Sequence, residues 1–307
     1  MPAILIPLLT LVILFPADSS SATPTESPAC EDIRIRFLTK QNQLNDRVLN
    51  FFLFDTADRG CIDLAEELLS RGASISARDN QGNTPLARAA SLGETEFVRF
   101  LLSRGAAIDA VSVRGSTPLL QAVTANRRRT VKLLLAQGAD PNTANRRKVT
   151  PLISAAYTGN PRIVKMLLTS GARIGGLDAT GKSAMVYAAG KGFSRIVDLL
   201  LEAGESATER YGQSLTALMW AAGHTNEVPP RDAVRTVQLL IEHGAQTQAR
   251  DDRGRTALMI AAGRGHRHII ELLLSHGADR TAVDNDGQSA HDLGTDPDIR
   301  ALLRPAQ

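Results

Sequence analysis

The feature that most constrains the fold of this 307-residue chain is a short motif that returns every 33 residues. The motif is Thr or Ser, then Pro or Ala, then Leu or Met, and it starts at Thr84, Thr117, Thr150, Ser183 and Thr216. A glycine that closes a Leu-rich run returns with the same step, at Gly72, Gly105, Gly138, Gly171 and Gly204. Periods of about 20 to 50 residues are typical of solenoids, so two markers in one register predict a stack of like units.

One interruption breaks the period. The next motif, at Thr256, and the next closing glycine, Gly244, both come after a step of 40 residues. Seven extra residues therefore lie within 224–232, where Pro229 and Pro230 limit the freedom of the chain. We predict a lengthened turn between the two helices of that unit. A functional loop on a rigid scaffold and a tolerated surface insertion are both open interpretations.

The residue types of one unit predict a pair of helices. Thr84 supplies an oxygen that caps a helix, and Pro85 fits the first helical position, where its missing N–H costs nothing. Gly93 turns the chain, and Gly105 supplies the left-handed residue that ends the second helix. Apolar residues recur at helical spacing, at Leu86, Ala89, Ala90, Phe97, Val98, Leu101 and Leu102. No such pair buries its apolar face alone, so the units must stack.

Two segments carry a family resemblance. Residues 79–86 are Asp-x-x-Gly-x-Thr-Pro-Leu and residues 138–142 are Gly-Ala-Asp-Pro-Asn, and both resemble the ankyrin repeat. The resemblance implies an all-α solenoid of stacked helix-turn-helix units with extended finger loops. A content of 43% hydrophobic and only 4% aromatic residues suits helices packed by small and aliphatic side chains. The departures are local: Lys148 and Ser214 stand where a finger glycine is expected, and His291 replaces a Leu.

The register divides the chain into units. We predict about seven repeats and a truncated C-terminal cap, near residues 46–78, 79–111, 112–144, 145–177, 178–210, 211–250, 251–283 and 284–304. A polar final unit suits a cap that faces water. Residues 23–45 precede the repeats as a linker and a capping helix, and we expect that helix within 31–45, lying over the first repeat.

The beginning of the chain predicts export. Residues 3–15 form an uninterrupted uncharged run that is followed by Pro16 and small residues, as in a secretory signal peptide. We predict a signal peptide at 1–22, with cleavage near 19–22, and a periplasmic or secreted protein of bacterial type. No Lys or Arg precedes the run, which departs from the usual pattern. The run is well short of the roughly 20 residues that span a bilayer, so no stable membrane span is expected.

The two cysteines, Cys30 and Cys61, both lie near the start of the predicted mature chain. Because an exported protein meets an oxidising compartment, we predict a disulfide that fastens the N-terminal segment onto the first repeat. Such a bond stabilises by about 3 to 4 kcal/mol in the chain-entropy model. Two buried thiols are the alternative interpretation.

Residues 176–183, Gly-Leu-Asp-Ala-Thr-Gly-Lys-Ser, match the phosphate-binding loop pattern, in which glycine amides and a Lys hold the phosphates of a nucleotide. That mechanism requires an apolar strand before the loop and a long helix after it. Here Asp178, Gly181 and Ser183 occupy the finger positions of the repeat. We therefore interpret the match, including Lys182, as a product of the repeat register.

No set of residues with catalytic spacing is found. The six histidines form no metal-binding set in the sequence; His266 and His268 flank Arg267 without further converging ligands. His243 and His276 stand just before closing glycines, where a helix-end role is expected. We predict a protein without enzymatic activity, cofactor or metal.

Positive charge recurs on the fingers. The residues concerned are Arg114, Arg146, Arg147, Lys148, Lys182, Arg253 and Arg255. Stacking would align them into a cationic strip that suits an acidic partner, whereas a solvated basic face is the alternative. The net charge is only +3, and the sequence lacks the dense clusters of Lys and Arg that are typical of nucleic-acid-binding proteins. No nucleic-acid partner is therefore expected.

Two large aromatic residues share a register. Tyr187 and Trp220 lie 33 residues apart on the first helices of adjacent units, so they should be neighbours. With Met219 and Met259 one position earlier in their units, they are candidates for an aromatic and thioether anchor on the concave surface. The alternative is that these side chains fill the core between repeats.

The function follows from the resemblance. Ankyrin repeats bind diverse partners, so we predict a monomeric protein–protein interaction module or scaffold of the cell envelope that binds through the concave inner helices and fingers. Two alternatives are an immunity-type or inhibitor protein that blocks an envelope enzyme, and a secreted effector that binds a host protein. The sequence does not identify the partner.

Overall fold

The computed structural model describes residues 27–224 and 228–304. The predicted signal peptide, 1–22, lies outside these residues. Within them the chain is all α-helical, with short 3-10 helices at Gln41–Gln43 and Gly212–Ser214. The α-helices are α1 (Pro28–Thr39), α2 (Asp46–Arg59), α3 (Ile62–Ser70), α4 (Pro85–Leu92), α5 (Thr95–Ser103), α6 (Pro118–Thr124), α7 (Arg128–Ala136), α8 (Pro151–Thr158), α9 (Pro161–Thr169), α10 (Ala184–Gly190), α11 (Ser194–Glu202), α12 (Ala217–Ala222), α13 (Pro230–Glu242), α14 (Ala257–Arg264), α15 (Arg267–Ser275), α16 (Ala290–Leu293) and α17 (Pro297–Leu303).

The helices pair and stack as the period predicts. The first helix of each pair, from α2 to α16 in even numbers, packs against the first helix of the next pair, and we call these the inner helices. The second helices, the outer helices, pack in the same order from α5 to α15. One continuous apolar core runs through the stack and includes Leu86, Leu119, Leu152, Met185, Leu218 and Leu258, the third residue of each motif. The fold is therefore an all-α repeat solenoid.

Each inner helix begins at the Thr or Ser of the motif. The Thr84 hydroxyl accepts a hydrogen bond from the Ala87 amide at 3.2 Å, and Ser183 caps α10 in the same way. This bond satisfies one of the amides that the first turn of a helix leaves without a partner. Gly93 then ends α4 in the left-handed conformation, with φ of 89°.

The fingers are tight turns held by their first residue. Asp79 Oδ1 accepts hydrogen bonds from the amides of Gln81 and Asn83, both at 2.8 Å. The turn requires a left-handed residue at its fourth position, which is Gly82 in this finger and Lys148 in the finger at 145–148. Lys148 has φ of 56°, so the finger keeps its shape without glycine.

The N-terminal segment is fastened to the first unit. A disulfide joins Cys30 in α1 to Cys61, which precedes α3. Phe37 of α1 is fully buried against Phe52, at 5.3 Å between ring centroids. The helix predicted within 31–45 begins earlier, because Ser27 caps it and Pro28 occupies its first turn. It ends at Thr39, where a 3-10 turn replaces it.

The insertion does more than lengthen a turn. The outer helix α13 has 13 residues, whereas α5, α7, α9, α11 and α15 have nine each. Part of the insertion therefore adds a turn to the start of α13, with Pro230 at its first position. Residues 225–227 lie outside the described part of the chain. None of the described helices is long and apolar enough to cross a membrane.

Candidate functional site

The inner helices and the fingers line one surface, which we call the inner face. The fourth residue after each capping Thr or Ser lies on it, and this position changes character along the stack. In the N-terminal half it is polar, at Arg88, Gln121 and Ser154. In the C-terminal half it is apolar, and we call this set the apolar column: Tyr187, Trp220, Ile260 and Leu293. Each member of the apolar column is only partly buried.

Glycine makes room for the apolar column. Gly190, Gly223 and Gly263 occupy the seventh position after the cap, where the earlier units carry Ser91, Thr124 and Tyr157. A Cβ at Gly190 would lie 3.7 Å from Trp220 Cε3, an ordinary contact. A Cβ at Gly223 would lie 2.9 Å from Ile260 Cγ2, which is too close. The side chain of one unit thus occupies the space above the glycine of the preceding unit.

In the N-terminal half the polar side chains are already paired. Arg88 donates from Nε and Nη2 to both carboxylate oxygens of Asp58, at 2.9 and 2.5 Å. The Gln121 side-chain amide donates to Asn83 Oδ1 at 2.9 Å. Arg88 and Gln121 are thus satisfied within the chain.

An aromatic cluster lies at the start of the apolar column. The rings of Tyr157 and Tyr187 meet edge to face, with centroids 5.3 Å apart. Lys182 Nζ lies 5.8 Å from the Tyr187 ring centroid and 5.6 Å from that of Trp220. Lys191 Nζ lies 3.9 Å from the Tyr157 centroid. A cation within about 6 Å of an aromatic ring centroid is attracted by the ring quadrupole. The two lysines therefore stabilise this cluster.

Sequence reasoning placed Tyr187 and Trp220 on one surface. In the structure both rings lie near Lys182 Nζ. The burial of the two methionines agrees with the alternative interpretation, in which these side chains fill the core. Met219 and Met259 are only 2% and 1% exposed, and their sulfur atoms lie 3.5 Å from the amides of Thr216 and Thr256. Both side chains belong to the core, because they lie one residue before the position that lies on the inner face.

A cavity of about 380 Å³ lies beside Trp220. Trp220, Ile260 and Leu293 of the apolar column line it, together with the buried Met219 and Met259 beneath them. Arg253, Arg255 and Arg264 also line it. The Trp220 indole Nε1 is buried and has no hydrogen-bond partner among the described residues. The cavity therefore combines an apolar floor with a cationic rim.

The finger cations fall into two groups. Arg114, Arg146 and Arg147 line a groove with Gln121 and Thr124 on the inner face, and none of the three takes part in an ion pair between described residues. Backbone bonds link their fingers, since the Arg146 amide donates to Arg114 O at 2.9 Å.

The second group is partly neutralised. Arg255 Nε lies 3.1 Å from the buried Asp284 carboxylate, and Arg253 Nη2 lies 3.5 Å from the buried Asp251. Lys182 lies over the aromatic rings instead of extending into solvent. The predicted continuous cationic strip was therefore too simple. Its C-terminal part contains arginines whose charge is offset within the fingers.

In the segment that matches a phosphate-binding loop, the amides of residues 179–182 all have partners within the fingers. Asp178 Oδ1 accepts from the amides of Thr180 and Lys182, at 2.7 and 3.1 Å. The Gly181 amide donates to Asp178 O at 3.0 Å, and the Ala179 amide donates to Arg147 O at 2.8 Å. The helix that follows, α10, has seven residues. The finger's own first residue occupies the place where a phosphate would be held.

The histidines show one arrangement that the sequence did not predict. His243 and His276 each direct Nδ1 to a carbonyl at 2.9 Å near a helix end. His266 instead stacks on the ring of His224, with centroids 3.8 Å apart, and its Nδ1 lies 2.9 Å from Ala222 O. Burial and the neighbouring His224 lower the pKa of His266 against the effect of that carbonyl. The described residues contain no group of three or more His, Cys, Asp or Glu that fits a metal ion.

Sequence reasoning also missed a set of arginines that connect neighbouring fingers. Arg78 Nη1 donates to Gly82 O of its own finger and to Val111 O of the next unit, both at 2.7 Å. Arg210 and Arg250 make the same pair of bonds in later units. The signal was available, since all three residues directly precede the first finger residue.

Comparison with protein families agrees with this geometry. The family described as "Ankyrin repeats (3 copies)" matches at residues 53–145, 129–211, 152–250 and 205–284, and these overlapping matches extend from 53 to 284. A comparison with curated proteins finds no match. The family match covers well over half of the 307 residues and includes every helix pair from α4 and α5 to α14 and α15. The chain therefore belongs to the ankyrin-repeat family.

Proposed function

We propose that this chain is an exported interaction module and that its protein partner occupies the C-terminal half of the inner face. Ankyrin repeats are generic protein–protein interaction modules, so binding of a protein is the coarse function of the family. The location of the partner on the inner face, the chemistry of its surface and the export of the chain are argued in turn.

One observation carries the location: the apolar column lies partly exposed, whereas Arg88 and Gln121 at the same position of earlier units are polar and paired within the chain. Aromatic residues with adjacent apolar area are enriched among residues that dominate binding energy. A partner that buries this column would remove its exposed apolar surface from water.

The charges around the column favour an acidic segment in the partner. Arg253 and Arg264 line the cavity beside Trp220. Opposite charge across an interface speeds association and fixes orientation. We therefore propose a partner surface that combines apolar side chains with Asp or Glu.

The compartment is proposed from the N-terminal region. The disulfide between Cys30 and Cys61 is compatible with an oxidising location. The uncharged run at 3–15 has the composition of a secretory signal. Together they support export to the periplasm or beyond the cell. Mass determination of the N-terminus of the protein recovered from cells tests whether cleavage occurs near 19–22.

Affinity capture from the native compartment tests the binding surface. The bait is the mature chain, and it is compared with Trp220→Ala and with Gln121→Ala, which alters the same helix position in the polar half of the face. We expect Trp220→Ala to lose the partner at least tenfold while Gln121→Ala retains it. Melting temperatures of both variants are measured alongside.

Two results would reject the proposed surface. The first is retention of the captured partner by Trp220→Ala with unchanged affinity. The second is a collapse of the melting temperature of Trp220→Ala, which would show that the indole serves the core between repeats. Loss of the partner with a nearly unchanged melting temperature supports the proposal.

A further inference from the structure

One junction between units departs from the repeat at several positions at once. Every other closing glycine in the described repeats is followed by an alanine, at Ala73, Ala106, Ala139, Ala172, Ala245 and Ala278, whereas Gly204 is followed by Glu205. The first finger residue is Asp, Asn or Ser in the other units and Tyr211 here. The departures are spatially connected, because the Tyr211 hydroxyl donates to Glu205 Oε1 at 3.2 Å.

Glu205 is a buried acid with an unused oxygen. Glu205 and Tyr211 are each only 7% exposed, and Glu205 Oε2 has no hydrogen-bond partner among the described residues. Burial raises the pKa of Glu205 to about 7, against the opposing effect of the Tyr211 hydrogen bond, and the charge of Glu209 raises it further. An unpaired buried carboxylate is costly, so its presence at a single junction calls for a compensating role.

Glu205 lines a small cavity between the segments 174–177 and 204–211. The volume is about 280 Å³, near the lower limit of about 300 Å³ for small-molecule pockets, so the space suits one side chain or a small molecule. Ile174, Leu177 and Tyr211 supply apolar walls. Gly175 stands where other units carry a side chain, and a Cβ there would meet nothing within 4 Å, so the entrance is open.

The charge of the cavity is negative. Glu209 also lines it, at a position that is alanine in most other units, as at Ala77 and Ala249. Arg210 lines the same cavity, but its Nη1 donates to Ser214 O at 3.2 Å and to Arg250 O at 2.8 Å. Its guanidinium is thus held at the finger backbone, as in the other finger arginines. No ion pair between described residues involves Glu205 or Glu209.

We propose that this cavity binds an organic cation, an alkylammonium or alkylguanidinium group whose charge lies against the Glu205 carboxylate and whose alkyl stem lies along Ile174, Leu177 and Tyr211. Two sources share this chemistry: a Lys or Arg side chain of a bound polypeptide, and a free amine. A metal ion fits less well, because two carboxylates, one of which already accepts from Tyr211, supply fewer oxygen ligands than the six or more that Ca²⁺ takes. The site is separate from the apolar column and does not depend on it.

Titration followed by backbone NMR tests the proposal on the mature, disulfide-bonded chain. The probes are n-butylammonium chloride and N-acetyl-lysine methylamide, with n-butanol as the uncharged control, in 0.15 M salt at pH 8. We expect saturable shifts confined to 174–177 and 204–211 with at least one cation, and none with n-butanol. Binding of the blocked lysine alone assigns the site to a polypeptide side chain, and binding of both admits free amines.

Matched variants make the result specific. Glu205→Gln keeps the shape of the side chain and removes its charge, and it should weaken cation binding at least tenfold. Glu202→Gln neutralises an exposed acid on the nearby α11 and should leave binding unchanged. Glu205→Ala restores the alanine found in the other units, so it should fold and should also lose binding. Binding by the wild-type chain should weaken at least tenfold from pH 8 to pH 5.5 as Glu205 is protonated.

The proposal is overturned if neither cation gives saturable shifts, or if Glu205→Gln binds as well as the wild-type chain. Trp220→Ala serves as a separate control, since it should retain cation binding while it loses the captured partner. A failure of the proposed inner-face surface and a failure of this cavity are therefore distinguishable.

Discussion

The Tyr187 hydroxyl donates a 2.7 Å hydrogen bond to Asp178 Oδ2 and thereby joins an inner helix to the finger that precedes it. Burial opposes the charge of Asp178, but the hydrogen bonds from Tyr187, Thr180 and the Lys182 amide outweigh it and lower the pKa of the carboxyl. Asp178 thus organises its finger and orients the ring that begins the apolar column. The same bonds occupy the amides that a nucleotide would need.

We expect no saturable binding of ATP with Mg²⁺ to the wild-type chain. The amides of residues 179–182 all have partners within the fingers, and a phosphate would have to displace the Asp178 carboxylate from two of them. Isothermal titration with ATP and Mg²⁺ checks this. A measurable affinity that disappears in Lys182→Ala would contradict the finger interpretation.

The disulfide should stabilise the N-terminal end selectively. Its cysteines are 31 residues apart, and closing such a loop contributes about 3 to 4 kcal/mol in the chain-entropy model. In Cys30→Ser/Cys61→Ser we expect α1 to α3 to lose hydrogen-exchange protection, while α14 and α15 keep theirs, because repeats contact only their neighbours. Equal loss of protection along the whole stack would contradict this.

The stability of the chain should fall as the pH rises between about 4.5 and 7. The folded state binds the Glu205 proton more tightly than the unfolded state does, since the pKa of this carboxyl is raised from 4.5 to about 7. Stability is therefore highest below this window, and the loss reaches on the order of 3 kcal/mol above it.

Chemical denaturation at several pH values, compared with Glu205→Gln, measures this dependence. In Glu205→Gln the decrease in stability that Glu205 causes should be absent, so this variant should be more stable than the wild-type chain at pH 8. Glu202→Gln should follow the wild-type curve. Parallel curves for the wild-type chain and Glu205→Gln would show that the buried carboxyl does not titrate as described.

Two glycines at the same repeat position should respond oppositely to alanine. Gly190 ends α10, and its added Cβ makes an ordinary contact at 3.7 Å, so Gly190→Ala should stabilise by about 0.5 to 1 kcal/mol through helix propensity. Gly223→Ala places Cβ 2.9 Å from Ile260 Cγ2, so it should destabilise by about 1 to 3 kcal/mol. Thermal melts of the two variants decide this, and equal effects would contradict it.

The repeat register made most of the fold predictable. Capping residues, closing glycines and finger positions each have one conformational role, so their spacing alone predicted the helix pairs. Even Lys148 follows the rule, since it takes the left-handed conformation of the glycine it replaces. The N-terminal helix was less predictable, because its start depends on capping by Ser27 and its packing on Phe37.

The candidate site was only partly predictable. Helical spacing correctly placed Tyr187 and Trp220 on adjacent units, and their role in binding stays a prediction. For Met219 an exposed anchor and a core position were both open, and it lies in the core because a step of one residue rotates a side chain by about 100° around the helix axis. The Arg255–Asp284 pair joins residues 29 apart in different fingers, and only coordinates show such a contact. Glu205 is recognisable in the sequence as a break in the Gly-Ala pattern, but its burial beside Tyr211 shows only in the structure.

The disulfide makes the two ends of the array unequal. In a linear stack each terminal unit has one neighbour, so opening begins at the termini and proceeds inward. At one end Cys30 and Cys61 hold α1 against the first unit, whereas at the other end α16 has only four residues. We therefore expect opening to proceed from the C-terminus, with the last repeats as the proteolytically sensitive end. The apolar column lies in that less protected half, so a partner bound there would stabilise the repeats that the disulfide does not hold.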